Sequence, residues 1–476
     1  MKKIKKNTNI EKLKKTILSE KKSAWENEEK GIDIFAEDYM KFLNYAKTER
    51  LAANFIVNMA VKAGYEELKW NGKISNGGKY WFLNKSKSVI LIHKGSDDIL
   101  KGFNLIATHI DAPRIDLKQN PLIEDSGIAL FKTHYYGGIK KYHWFNIPLA
   151  IHGVVVKKDG EVVNINIGEK DTDPVFLIPD LLPHLSRKTQ ENKKILDAYT
   201  GEHLNLIAGT QPYKITKNVK EKDQVKLNVM NILYKEYGIT ESDFTSAELE
   251  LVPAYKSRWA GVDKSLIAGY GHDDRACSYA SLKAFLDIKN VKRTCVAVFA
   301  DKEEIGSEGI TSLRSLVLTD ILALFVSKFV KNYDEILLRK VISSSFAVSG
   351  DVDAAMDPTW KEVNEPHNNA KIGGGVSINK FTGHGGKYMA NDANAEYLAK
   401  IRKLFDENQV VYQFTELGKV DEGGGGTVAK YLAKLGMEVV DCGTPVLGMH
   451  SPYELVSKVD LFQTFKAYKV FFENIK

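Results

Sequence analysis

Five short polar motifs in the chain carry residue types that could do chemistry together. His109-Ile110-Asp111 follows the apolar run FNLIAT, Asp301-Lys302-Glu303-Glu304 follows CVAVFA, Asp351 follows SFAVSG, and His450 follows TPVLGM. The fifth, His272-Asp273-Asp274-Arg275, stands directly before a helical pattern. Two imidazoles with several carboxylates and no thiolate form a ligand set suited to divalent zinc, cobalt or manganese. Two His are few for a single zinc site. If one Asp bridges two ions about 3.5 Å apart, however, each ion needs only one His and one terminal carboxylate. On this reading His109, Asp273 and Asp351 hold one ion, and Asp273, Glu304 and His450 hold the other. At this level the choice of Asp273 over its neighbour Asp274 stays open. Asp111, two residues after His109, can accept the ring N–H of that His and fix its tautomer. Glu303 precedes a ligand, so it can take a proton from a water shared by the ions and return it to a leaving amine. The chemistry this set suits is hydrolysis of an amide.

Any one of these motifs alone is ordinary loop composition, because exposed carboxylates cost nothing. Their weight comes from placement, since each must be delivered by an element that ends near the others. The runs at 88–93 (SVILIH) and 102–108 (GFNLIAT) read as short strands buried on both faces. After Pro253, strand and helix alternate: a helix over 275–287, a strand over 295–300, a helix over 310–316 and a strand over 342–348. This predicts an α/β fold with a central, mostly parallel sheet flanked by helices, whose ligands converge outside the carboxyl ends of the strands. Between about 113 and 251 the texture changes to alternating, turn-punctuated segments such as 150–157 and 162–167, which read as antiparallel hairpins. The expected division is therefore 1–111 with 253–476 as one domain and 112–252 as a β-rich insertion. Gly373 to Gly375 and Gly423 to Gly426 read as loops near helix starts. No Gly-Lys-Ser/Thr follows the second run, so it is not a phosphate loop.

Bulk properties narrow the partners. At 43% hydrophobic and 27% charged residues, the composition excludes collagen-like, disulfide-scaffold and wholly disordered classes. The net charge of +6 is concentrated in residues 1–23, where nine Lys face Glu11 and Glu20, so the remainder is nearly neutral. This basic leader reads as a solvated, partly helical segment over the start of a helical 9–66 region. It lacks the interleaved aromatics of a nucleic-acid arm and the apolar stretch of a secretory signal. No apolar run approaches the ~20 residues needed to span a bilayer. Cys277, Cys295 and Cys442 are odd in number and show no CxxC spacing, which fits a reducing cytoplasm. The expectation is a soluble cytoplasmic protein without nucleic-acid or membrane partners.

The segments ATHIDAPRID, IPDLLPHLSR, GHDDRACSYASLKAFLD, DKEEIGSEG, SGDVDAA and LGMHSPYEL, in that order, resemble the aspartyl aminopeptidase and aminopeptidase I family of dizinc metallopeptidases. The resemblance covers most of the chain after the basic leader. It implies that His109, Asp273, Glu304, Asp351 and His450 are metal ligands and that Glu303 is the catalytic base, and it selects Asp273 over Asp274. It further implies a homo-oligomer, a dodecamer built from dimers through the β-rich insertion, with His184 of PHLSR reaching a neighbouring active site. Substrates would be peptides with free N-termini, the first residue acidic or neutral such as Leu. Lys380, Lys387 and His384 offer charge pairing to an acidic side chain. The motif HDDR departs from the LDNL of acidic-specific members. Two readings compete: a dimetal carboxypeptidase or N-acyl amino acid deacylase, and a non-enzymatic scaffold stabilised by metal.

Overall fold

The computed structural model describes residues 2–18, 22–26, 30–214, 222–289 and 291–475. Residues 1 and 19–21 of the basic leader lie outside the described residues; its remainder includes the helix Lys2–Ile17.

In chain order the first strands are β1 (Glu66–Glu67), β2 (Lys79–Asn84), β3 (Ser88–His93) and β4 (Phe103–His109). The chain then builds β5 (Arg114–Asp125), β6 (Ile128–Tyr136), β7 (Leu149–Val156), β8 (Val162–Ile167), β9 (Leu206–Gly209) and β10 (Ala247–Pro253). It continues through β11 (Arg258–Ala260), β12 (Leu266–Gly269), β13 (Thr294–Ala300), β14 (Phe346–Ser349), β15 (Asp353–Ala354), β16 (Val376–Asn379) and β17 (Tyr412–Thr415). The last strands are β18 (Glu438–Gly443), β19 (Pro445–Leu447) and β20 (Glu454–Ser457).

A nine-stranded sheet, ordered β1-β2-β3-β13-β4-β14-β18-β16-β17, forms the centre. Its middle four strands, β13, β4, β14 and β18, run parallel. These and the neighbouring β3 are apolar on successive residues because helices cover both faces. Leu91, Ile106, Ala297 and Phe299 pack with the helices Ile32–Tyr45, Glu49–Lys62, His272–Asp287 and Lys458–Asn474. The alternate residues Ile92, Leu105, Val296 and Val298 pack with Val317–Ser327, Glu335–Ser343 and Ala429–Lys434. Period-two alternation thus feeds two cores rather than one core and solvent.

Residues 114–253 supply a separate antiparallel sheet, ordered β8-β7-β10-β5-β6-β9, with its own core around Trp144, Ile151 and Leu251. A third, five-stranded sheet (β11-β12-β20-β19-β15) lies close to the motifs, since β12 leads into His272 and β19 into His450.

Two expected elements are displaced. The segment at 310–316 is a series of turns, and the helix begins at Val317. Ile342 belongs to the helix Glu335–Ser343, where Leu338, Val341 and Ile342 form a buried i, i+3, i+4 stripe; the strand starts only at Phe346. Gly373 to Gly375 leads into a strand, β16, rather than a helix.

Candidate active site

Three of the motifs are delivered by the carboxyl ends of adjacent parallel strands. β4 ends on His109, β13 runs into Asp301 to Glu304, and β14 runs into Asp351. The other two come from the five-stranded sheet, a division that the sequence did not reveal. Asp273 follows β12, and His450 lies between β19 and β20.

These residues meet. Asp273 turns one carboxylate oxygen toward each imidazole: Oδ1 lies 3.1 Å from Nε2 of His109, and Oδ2 lies 3.2 Å from Nε2 of His450. Nε2 of His109 is also 3.7 Å from Oδ1 of Asp351, and Nε2 of His450 is 3.4 Å from Oε2 of Glu304. The ligand atoms of His109, Asp273 and Glu304 all lie within 4.8 Å of one another, as do those of His109, Glu303 and Asp351. Asp274 takes no part in either group; it accepts the main-chain N–H of His109 at 3.3 Å.

Around this ring the outer polar groups hold the inner ones. Asp111 is wholly buried; its main-chain carbonyl accepts the Nδ1–H of His109 at 3.1 Å, and its carboxylate Oδ1 lies 3.3 Å from the same nitrogen. It also accepts the main-chain N–H groups of Glu303 (3.1 Å) and Glu304 (3.2 Å) and the hydroxyl of Tyr136 (2.8 Å). The Asp expected to orient one imidazole therefore also fixes the loop that carries two carboxylates. On the other side, the Nδ1–H of His450 donates to the carbonyl of Gly138 at 2.9 Å.

Glu454 was not singled out in the sequence, although it stands four residues after His450 in HSPYEL. It is buried, and its two oxygens accept the main-chain N–H groups of His450 (2.7 Å) and Asp273 (3.2 Å). The spacing of a carboxylate one short turn beyond His450 is the signal that could have found it. Tyr136 and Gly138, in the plain hairpin end YYGG, offered no such signal.

So many carboxylates in one buried place resist ionisation together. Burial, then the charges of Asp351, Asp111 and Asp273, push Glu303 up to about 8 against the pull of His109. Burial and Asp273 do the same to Glu454, also to about 8. Burial opposes charging of His450, but Asp273 and Glu304 outweigh it and raise the imidazolium to about 11. Asp273 Oδ1 and Glu304 Oε1 are buried without an aligned hydrogen-bond donor among the described residues. Buried carboxylate oxygens without an aligned donor, beside two imidazole nitrogens, are what divalent cations satisfy, so the donor set fits the ions its chemistry implies.

His184 is not brought into this cluster. It lies on the exposed turn of helix Pro183–Ser186, at the edge of the six-stranded sheet's own unit, and among the described residues it makes no contact with the ligand groups. His93 and His152 are buried away from the cluster, and His152 lies 3.0 Å from Glu169.

The chain matches the family described as Aminopeptidase I zinc metalloprotease (M18) over residues 42–472. A probable M18 family aminopeptidase 1 from Clostridium acetobutylicum is 45% identical over 466 residues, covering 96% of this chain and 99% of the relative. The crystal structure of an M18 family aminopeptidase from Thermotoga maritima superposes with a TM-score of 0.92 at 46% identity, covering 96% of this chain and 99% of that one. The fold alone is shared with the more distant yeast mApe1 dodecamer, at a TM-score of 0.75 and 20% identity over 94% of this chain and 98% of that one. The chain belongs to the M18 family of zinc aminopeptidases; it is a metallo-aminopeptidase, a hydrolase of peptide bonds. No described helix is long and apolar enough to cross a membrane.

Proposed function

We propose that this enzyme removes the first residue from peptides with free N-termini by means of two divalent cations, zinc in preference to cobalt or manganese. The observation that carries the reading is the split carboxylate of Asp273, one oxygen toward His109 and the other toward His450. His109, Asp273 and Asp351 would hold one ion, and Asp273, Glu304 and His450 the second. When bound, the ions polarise the scissile carbonyl, lower the pKa of water and offset the charge that develops on oxygen.

The chain's own groups do the rest. Glu303 takes the proton of the attacking water and returns it to the departing amine. Asp111 keeps Glu303 within reach by gripping its main-chain N–H, and keeps His109 in one ring orientation. Glu454 ties the two segments that carry Asp273 and His450 to each other.

For the first side chain we favour a neutral residue such as Leu over an acidic one. Lys380 and Lys387 both pair with Asp392, so the cations that could select a carboxylate already face one. Incubation with leucyl-, aspartyl- and N-acetyl-peptides, followed by mass spectrometry, tests both points. Loss of the first residue from the leucyl peptide, with less from the aspartyl peptide, is expected. Cleavage only of the blocked peptide, or only at C-termini, would overturn the assignment in favour of a deacylase or carboxypeptidase.

The six-stranded unit, residues 112–252, is proposed as a dimerisation domain, with dimers assembling into a dodecamer; the yeast mApe1 that shares the fold is itself a dodecamer. Leu181, Leu182, Leu185, Ile195 and Leu196 are all exposed around His184, a run of apolar surface that a second copy would cover. In that assembly His184 would act at the neighbouring active site. The three buried, unpaired cysteines fit a reducing compartment, and the cytoplasm is the proposed location.

A further inference from the structure

The end of β6 presses on three members of the site in three consecutive residues. The Tyr136 hydroxyl donates to Oδ2 of Asp111 at 2.8 Å, the same oxygen that accepts the Glu304 main-chain N–H. Gly137, at φ +74°, lies beside the Glu304 side chain, where an added Cβ would make ordinary contact 3.4 Å from the Cβ of Glu304. Gly138 offers its carbonyl to Nδ1 of His450 at 2.9 Å, and a Cβ there would lie 3.2 Å from that nitrogen.

Tyr136 is itself held. Arg114 is its register partner across the β5–β6 pair, so the two side chains share one face of the sheet. The guanidinium carbon lies 3.9 Å from the ring centroid, a cation–π contact that fixes the ring plane. Arg114 is buried and pairs with Asp116 (2.9 Å) and Glu250 (3.0 Å) of its own sheet and with Glu49 (3.5 Å). Glu49 opens the helix Glu49–Lys62, which packs on the nine-stranded sheet. One run of contacts therefore leads from that helix through Arg114 and Tyr136 to Asp111, and from Asp111 to His109, Glu303 and Glu304.

We propose that Tyr136 is a positioning residue for the metal centre, braced by Arg114, and that the Tyr136-Gly137-Gly138 segment makes the ligand geometry depend on how the six-stranded sheet is seated. The inference rests on the metal-centre reading above. An Asp that accepts from two loop amides and faces an imidazole has little freedom left, and the phenol supplies the last fixed donor. Outer partners of this kind change metal affinity or turnover by about 10–100-fold when removed, because they set the orientation of the ligands rather than their identity.

The test is Tyr136→Phe in the full-length protein, which keeps the ring and its stacking on Arg114 and deletes one hydrogen bond. Zinc affinity is measured by competition with a chromophoric chelator, and kcat and KM at saturating zinc. The thermal midpoint is measured with and without metal. The expected result is zinc affinity lower by at least about tenfold. With it should come a reduced kcat, a KM within about twofold, a nearly unchanged midpoint in chelator and a smaller rise in midpoint on adding zinc. Gly138→Ala, which crowds His450 from the other end of the segment, should also weaken zinc binding, whereas the exposed neighbour's variant Tyr135→Phe should not. If Tyr136→Phe binds zinc and turns over as the parent does, Tyr136 is only a packing residue and the proposal falls. If the parent itself takes up no zinc, the metal-centre reading falls with it.

Discussion

Glu303 and Glu304 are adjacent in sequence and share one environment, yet the account gives them different work, and substitution separates them. Glu303→Ala should lower kcat by about 10²- to 10⁴-fold, the usual contribution of a positioned proton carrier, while metal content stays intact. Metal analysis beside steady-state kinetics checks both halves. Zinc uptake should also depend on pH in a direction the geometry fixes. In the metal-free site Glu303 is held near 8, and His450 near 11. Both therefore carry protons below neutrality. A cation entering the site must displace such protons, so apparent affinity rises with pH, by about tenfold per unit for each proton released. A chelator-competition titration at pH 6, 7 and 8 measures this; a flat or falling affinity would contradict it. At this scale the sequence was informative wherever side-chain chemistry is unusual in pattern, as with HID, DKEE and HDDR. It was silent where a common residue acts through a main-chain contact. Glu454 grips two amide N–H groups and shows only in its spacing from His450, and Gly138 lends a carbonyl, which leaves no mark in residue type.

The elements that carry the proposed ligands were legible where both faces of a strand are buried, because a continuous apolar run such as CVAVFA has few other readings. The helix Glu335–Ser343 was harder. Its buried stripe of Leu338, Val341 and Ile342 sits beside the β14 run, and three serines at 343–345 mark the change only weakly. The Gly373 to Gly375 loop shows a constraint that its composition hinted at without explaining. The main-chain N–H groups of Gly373 and Gly375 each donate to buried Asp460 at 2.7 Å. Gly375 has φ +81°, and a Cβ there would meet the Val411 carbonyl at 2.1 Å. Gly375→Ala should thus destabilise the fold by about 1–3 kcal/mol through strain and displaced backbone, read as a lower midpoint in urea unfolding. An unchanged midpoint would mean that the loop yields freely. Assignment of the His450 motif to a second, small sheet was beyond sequence pattern, since three-residue strands such as β19 carry no periodicity to read.

At the scale of the whole molecule, the nine-stranded sheet supplies His109, Glu303, Glu304 and Asp351, the five-stranded sheet supplies Asp273 and His450, and the six-stranded sheet braces both from outside. Paired charge marks the seam with the last of these: buried Glu49 faces Lys87 and Arg114, and Lys87 also pairs with the exposed Glu248. The apolar pattern changes from continuous to alternating near 113 and back near 253, and the strands of the six-stranded sheet lie between Arg114 and Pro253; how that sheet bears on the site was not visible in the pattern. If the apolar surface around His184 is covered by a second copy, Leu185→Asp should shift the assembly to smaller species by light scattering. Activity should fall with it if His184 serves a neighbour. An unaltered mass would place the interface elsewhere. Whether Asp273 stands between two cations is decided by zinc-edge anomalous diffraction from zinc-loaded crystals. Two peaks are expected, one beside His109 and Asp351 and one beside Glu304 and His450, with the Asp273 carboxylate between them. A single peak, or zinc bound away from Asp273, would contradict this arrangement.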